Sequence, residues 1–189
     1  FIVFGAILDG VGAGQSVLKL VFRLTRRFKG GPAYAAVVSS AVFGTLSGSV
    51  AANVVGTGVF TIPMTKSRGF SARFAGAIEA AASSGGQIMP PVMGAVAFIM
   101  ADVTGIPYLT ICLAALVPAL FFYSSLFCAV GLQAAKQDIK LAPVKDEDSI
   151  TAYDYRFAGA LGIALSAIVF LLVTGSSPAL AGFVAVIIS

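Results

Sequence analysis

Histidine is absent from the 189 residues, and cysteine occurs twice, at Cys112 and Cys128. The first absence excludes imidazole chemistry within this chain. The two cysteines lie in one apolar stretch, sixteen residues apart. On a helix that spacing is roughly 24 Å, whereas a disulfide needs Cα atoms within about 7 Å. They are read as buried, small apolar residues. Charge is scarce as well: Asp, Glu, Lys and Arg make up 11% of the chain, against about 25% in soluble domains. The sequence holds no Gly-x-Ser-x-Gly, no phosphate-binding loop and no metal-ligand spacing, so no catalytic constellation emerges. Without a Walker-type loop, any transport here is not driven by ATP bound to this chain.

Hydrophobic residues reach 58%, and the few charges cluster between long uncharged runs. This composition predicts an all-α integral membrane protein. The formal net charge of +4 does not point to nucleic acid, because the basic residues flank apolar spans, as the positive-inside rule expects. The chain opens at Phe1 and closes at Ser189 within an apolar run, so it reads as a segment of a longer protein.

Five apolar stretches can be delimited. They cover about 1–22, 33–64, 74–101, 106–132 and 157–174, with a further stretch toward Ser189 after the turn Gly175-Ser176-Ser177-Pro178. Residues 1–132 form one region, 133–156 a polar cytoplasmic connector, and 157–189 the start of following helices. Basic loops flank the second stretch on both sides, with Arg23, Arg26, Arg27 and Lys29 before it and Lys66, Arg68 and Arg73 after it. The positive-inside rule places both loops in the cytoplasm, which a single crossing cannot do. As one helix, 33–64 would reach roughly 48 Å, against a hydrocarbon core of about 30 Å. The second stretch is therefore expected to be a re-entrant hairpin of two arms of about 12 residues, bent at Ser47-Gly48-Ser49, where glycine permits a tight turn.

The third stretch, 74–101, is expected to cross the membrane as a broken helix. Pro90 and Pro91 remove two donors and clash with the preceding turn, and Gly85 and Gly86 loosen the backbone before them. Backbone that leaves the helix within a membrane must be buried in protein or line a cavity. Unwound carbonyls and half-helix ends then carry partial charges that can hold ions. The hairpin tip and this break are accordingly the candidate site. The bland alternatives are small-residue helix packing for the tip, a simple kink for the break, and a helix cap for Asn53. Asp9, among Gly10, Gly12 and Gly14, is a candidate by its intramembrane position alone. Glu79 is expected to pair with Arg73 or Lys66.

The combination of Gly31-Pro32, Ser47-Gly48-Ser49-Val50-Ala51-Ala52-Asn53, Ile62-Pro63-Met64-Thr65-Lys66 and Gly86-Gln87-Ile88-Met89-Pro90-Pro91 resembles the large membrane subunit of TRAP (tripartite ATP-independent periplasmic) transporters. Asn53 and the Gln-Ile-Met-Pro-Pro-Val-Met-Gly run look closest to the TAXI subgroup, whose permeases are often fused large and small subunits. The resemblance covers about 31–108. It implies an elevator-type, cation-coupled importer of organic acids in a prokaryotic inner membrane. It also implies an extracytoplasmic substrate-binding protein, a small membrane subunit, separate or fused, and an inverted repeat of which this chain is the first half. Carried over by motif, the implied Na⁺ site involves Ser47, Gly48 and Ser49 on the hairpin with Ser83, Ser84, Gly85 and Gly86 on the broken helix. The implied substrate contacts are Asn53, Gln87, Pro90 and Pro91. Many family members have Asp where Asn53 stands and Ser where Val92 stands; Asn offers a carbonyl oxygen but no charge. Two other readings remain open: a channel or passive pore built on re-entrant loops, and a purely structural membrane subunit.

Overall fold

The computed structural model describes residues 13–139, 152–174 and 180–184. Among them every regular element is a helix: α1 (Ala13–Thr25), α2 (Gly31–Ser47), α3 (Val50–Ser67), α4 (Ala72–Gly85), α5 (Ala95–Thr104), α6 (Tyr108–Lys136) and α7 (Ala152–Val173), with 180–184 also helical. Asp9, Gly10, Gly12, the turn 175–178 and residues 140–151 of the connector lie outside the described residues.

Local chemistry sets the boundaries. Gly30 takes a left-handed conformation, φ 85°, and Pro32 opens α2, where its fixed φ suits the first helical turn. Gly48, φ 60°, closes α2, and Ser49 caps α3 by accepting from the Ala52 N–H at 3.4 Å. Ser71 caps α4 in the same way through the Phe74 N–H. Two residues thus separate α2 from α3, and the pair forms an antiparallel hairpin. Its arms are 17 and 18 residues long, roughly 26 Å each, and so longer than the 12 expected. Pro63 does not stop α3, which runs to Ser67. The helix of the third stretch ends at Gly85 and does not resume until Ala95, so the break extends past the proline pair.

Helix α2 sits at the centre and packs against α1, α3, α4 and α6. Ala33, Ala35, Ala36 and Val37 are fully buried along it. Such small residues let helix backbones approach closely, the usual means of helix association in lipid. The hairpin's open end is fixed by its neighbours. A Cβ on Gly30 would stand 3.1 Å from Ala134 and 3.2 Å from the Phe70 ring. The loop before α2, the loop after α3 and the last turns of α6 therefore meet. This gathers Arg26, Arg27, Lys29, Arg68 and Lys136 at one end of the bundle.

Helix α6 is long and apolar enough to cross a membrane, and it is alone in that among the described residues. Leu113, Val117, Phe121 and Leu132 on it are exposed. Cys112 is buried but Cys128 is exposed, which corrects the expectation that both are core residues. An outward face of leucine, valine and phenylalanine disfavours water and suits lipid or a protein partner.

Candidate functional site

Two glycine contacts bring the hairpin onto the break. A Cβ on Gly44 would lie 2.4 Å from the Gly86 Cα, and the reverse distance is also 2.4 Å. A Cβ on Gly48 would lie 2.3 Å from the Met93 carbonyl oxygen, and one on Gly94 would lie 3.3 Å from the Gly48 carbonyl oxygen. The last turn of α2 and the hairpin tip thus rest on residues 86–94, backbone against backbone. Only glycine permits such an approach, and at Gly48 the left-handed φ independently favours it.

The break is itself ordered by hydrogen bonds. The Gly94 N–H donates to the Gln87 carbonyl at 2.9 Å and closes the loop. The Tyr108 hydroxyl lies within bonding reach of both the Pro91 carbonyl, at 3.1 Å, and the Val92 carbonyl. The Pro90–Pro91 peptide is cis. Gln87 lines a groove of about 550 Å³ with Met93, Met100, Thr110 and Pro118, between the break, α5 and α6.

The candidate residues fall into distinct places. Ser47, Gly48 and Ser49 sit together at the tip, where the Ser49 N–H donates to Ser47 Oγ at 3.4 Å. Gly86 faces Gly44, whereas a Cβ on Gly85 would strike the Phe122 ring of α6 at 2.5 Å. Ser84 is exposed and donates to the Ala80 carbonyl. Pro90 and Pro91 are half-buried and Gln87 is exposed. Asn53 does not cap α3, a role Ser49 fills. It lies between the hairpin arms, 2% exposed, with Nδ2 donating to the Ser40 carbonyl at 2.8 Å. Its Oδ1 is buried without a hydrogen-bond partner. An uncharged oxygen left unsatisfied in the interior is a natural ligand for a hard monovalent cation, as are the carbonyls that the break frees from the helix.

Ser83 belongs to a cluster that the sequence reading missed. Glu79 of α4 is 0% exposed and pairs with neither Arg73 nor Lys66. Its Oε1 accepts from Ser40 at 2.8 Å, Thr57 at 2.5 Å and Ser83 at 3.4 Å, and its Oε2 accepts from Thr61 at 2.5 Å. One carboxyl thereby ties α2, α3 and α4 together. Seven residues, from 79 to 86, separate it from the tip contacts, about 10 Å along α4. The pairing expectation failed because the Glu79 side chain points inward, toward the hairpin. The signal that could have found the cluster is the spacing Asn53, Thr57, Thr61, Thr65. Four-residue steps put all four on one face of α3, and all four are buried.

Comparison with known proteins adds to this geometry. The family model for the tripartite ATP-independent periplasmic transporter, DctM component, matches residues 1–189. The chain belongs to that family. An isethionate TRAP transporter permease protein of Oleidesulfovibrio alaskensis is 34% identical over 91 residues, 48% of this chain and 14% of that protein. The C4-dicarboxylate TRAP transporter large permease of Vibrio cholerae is 27% identical over 143 residues, 76% of this chain and 31% of that protein. The 2,3-diketo-L-gulonate TRAP transporter large permease of Escherichia coli is 24% identical over 140 residues, 74% of this chain and 32% of that protein. The chain spans about a third or less of the length of these relatives. The polar, glycine-rich interruptions of α2–α5 are therefore features of a chain of the DctM component family.

Proposed function

We propose that this chain is the first-repeat portion of a TRAP-type permease, of the TAXI subgroup by its Asn53 and Gln87–Gly94 wording. In this reading it works in a prokaryotic inner membrane, crosses it several times, and imports organic acid anions by cation-coupled secondary transport. The α2–α3 hairpin is re-entrant from the cytoplasm, and α4–α5 is the broken crossing helix. The observation that carries the reading is the backbone docking of Gly48 on Met93 and Gly94 and of Gly44 on Gly86, in a chain of the DctM family. Two interrupted elements in contact are what a midplane ion and substrate site requires. Na⁺ is the coupling ion by family resemblance. Ser47, Gly48, Ser49, Ser83, Ser84, Gly85 and Gly86 form its neighbourhood, and Asn53, Gln87, Pro90 and Pro91 border the substrate. The partners are an extracytoplasmic binding protein and a small membrane subunit, and the loaded module moves as an elevator.

The test is reconstitution of the intact permease with its binding protein in proteoliposomes. Labelled succinate, 2,3-diketo-L-gulonate and isethionate are offered separately, the chemistries named for the three relatives. Na⁺-gradient-driven accumulation of one of them is expected. Replacing Ser47 and Ser49 together with Ala should raise the half-saturating Na⁺ concentration about tenfold, ~1.4 kcal/mol. Accumulation that ignores the Na⁺ gradient rejects sodium coupling, and an unchanged Na⁺ dependence in the double variant removes the tip from the ion site.

A further inference from the structure

A second groove, of about 600 Å³, lies at the basic end of the bundle, opposite the hairpin tip. It runs between the α1–α2 loop, the start of α2 and the second half of α6. Phe28, Tyr34, Phe127, Cys128 and Leu132 line it. The three rings brace one another. Tyr34 stacks on Phe127 with centroids 5.3 Å apart, and Phe28 meets Tyr34 edge-on at 6.2 Å. A Cβ on Gly131 would stand 2.9 Å from the Tyr34 hydroxyl, so the missing side chain gives the ring its room. Thr25 adds little polarity, because its hydroxyl donates to the Val21 carbonyl at 3.0 Å within α1.

The volume suits a ligand, since such cavities span about 300–1,000 Å³. The lining lacks the convergent polar groups that would orient a small organic acid. Charge stands at one rim only. Arg27 and Lys29 flank Phe28 in the loop, and Lys136 follows Leu132 by four residues on the same face of α6. All three cations are exposed. Asp138, two residues past Lys136, is the acidic residue nearest to it along the chain, and it opposes only part of this charge. An apolar trough with cations at one end matches a molecule divided in the same way, a hydrocarbon chain beneath an anionic headgroup. A protein helix would suit the outward face of α6 at Leu113 and Val117 better, where exposed apolar residues have no basic neighbour in sequence. Basic pockets between helices at the cytoplasmic face hold anionic lipid headgroups, and tyrosine favours the membrane–water boundary.

We propose that this groove binds an anionic glycerophospholipid of the cytoplasmic leaflet. One acyl chain lies along Phe28, Tyr34, Phe127 and Leu132, and Arg27, Lys29 and Lys136 hold the phosphate. The groove joins the loop before α2 to the end of α6, so the lipid fastens the open end of the hairpin to α6. The permease reading enters only in placing this end of the bundle at the cytoplasmic face.

Photo-crosslinking tests the site. The intact permease is reconstituted in phosphatidylcholine vesicles with a trace of a probe lipid carrying a diazirine in one acyl chain. The probe is phosphatidylglycerol in one sample and phosphatidylcholine in the other. After illumination and proteolysis, mass spectrometry maps the adducts. The phosphatidylglycerol probe should label the peptides bearing Phe28, Tyr34 and Phe127–Leu132 about fivefold or more above the other, the factor one basic side chain contributes near an anionic lipid. The exposed face at Leu113 and Val117 is the internal control and should take both probes equally. Arg27→Gln, Lys29→Gln and Lys136→Gln together should abolish the preference at the groove. Cys128 is exposed, and Cys128→Trp, which fills the groove, should lower the adducts of both probes there. Equal labelling by the two probes in the wild type, or a preference that survives the triple substitution, overturns the proposal. Adducts at Leu113 and Val117 with none at the groove also overturn it, and are the result expected if a protein segment fills the groove. Should the triple variant misfold, the wild-type comparison and Cys128→Trp decide the matter. None of these readouts needs a transported acid, so they settle the lipid site even where the accumulation assay rejects the permease reading.

Discussion

Consider an alanine at Gly44 or at Gly86. The added methyl would sit 2.4 Å from the opposing Cα, whereas carbon atoms rest at about 3.5–4.0 Å. Helix α2 and the start of the break must then part by roughly 1 Å or more, and because the contact is backbone on backbone, no side chain can swing away. Overpacking of this kind costs about 1–3 kcal/mol. Gly76 is the internal control. It lies within α4, and a Cβ there meets nothing within 4 Å. Replacing a helix-interior glycine with alanine at an open position gains about 0.5–1 kcal/mol. Gly44 also lies inside a helix, so its gain cancels and Gly44→Ala should fall roughly 1–3 kcal/mol below Gly76→Ala. Gly86 is a helix cap, and Gly86→Ala should fall roughly 1.5–4 kcal/mol below, the sum of the two effects. Denaturant titration of the three variants of the purified intact permease, followed by circular dichroism, reads the order. Equal stability of Gly44→Ala and Gly76→Ala would refute the docking of the hairpin on the break.

Gly48→Ala should be destabilising by about 1–2 kcal/mol from the left-handed backbone alone, and by more from the clash with the Met93 carbonyl; the same titration measures it. Tyr108→Phe removes the hydroxyl that holds the Pro91 and Val92 carbonyls. About 1–3 kcal/mol should be lost, with faster amide exchange confined to residues 86–94. Ser49→Ala deletes the α3 cap at about 1 kcal/mol, and Ser49→Asp should restore most of it. Glu79→Ala leaves the hydroxyls of Ser40 and Thr61 without their carboxyl partner and should cost more than Glu79→Gln, which keeps an acceptor oxygen, in the same unfolding measurement.

Much of this architecture is written locally in the sequence. Long apolar stretches with charge confined to their ends dictate helices. The reversal at Ser47–Ser49 has its reason in one left-handed glycine beside a capping serine. What is not local is less legible. The reach of the break to Gly94 depends on the Gln87–Gly94 bond and on Tyr108, seventeen residues beyond Pro91. The inward direction of Glu79 depends on how α4 is rotated against the hairpin, which no neighbour in sequence announces. Its partners come from positions 40, 57, 61 and 83, three of them distant in sequence, whereas Arg73 of the basic loop is the charge nearest to it along the chain. Asn53 shows the same limit: its type suits a cap, but its position four residues past Ser49 makes it an internal brace.

The Glu79 bonds and the Gly44–Gly86 contact join the same helices at two separate heights. A single attachment leaves a pivot about which α4 could swing, whereas two act as a splint and remove that freedom. The hairpin and the first half of the broken helix must then travel together. Loosening either fastening returns one hinge to the assembly, and the two fastenings differ in kind. The glycine contact depends on the shape of two backbones, whereas the carboxyl bonds depend on the direction of hydroxyl donors from three helices.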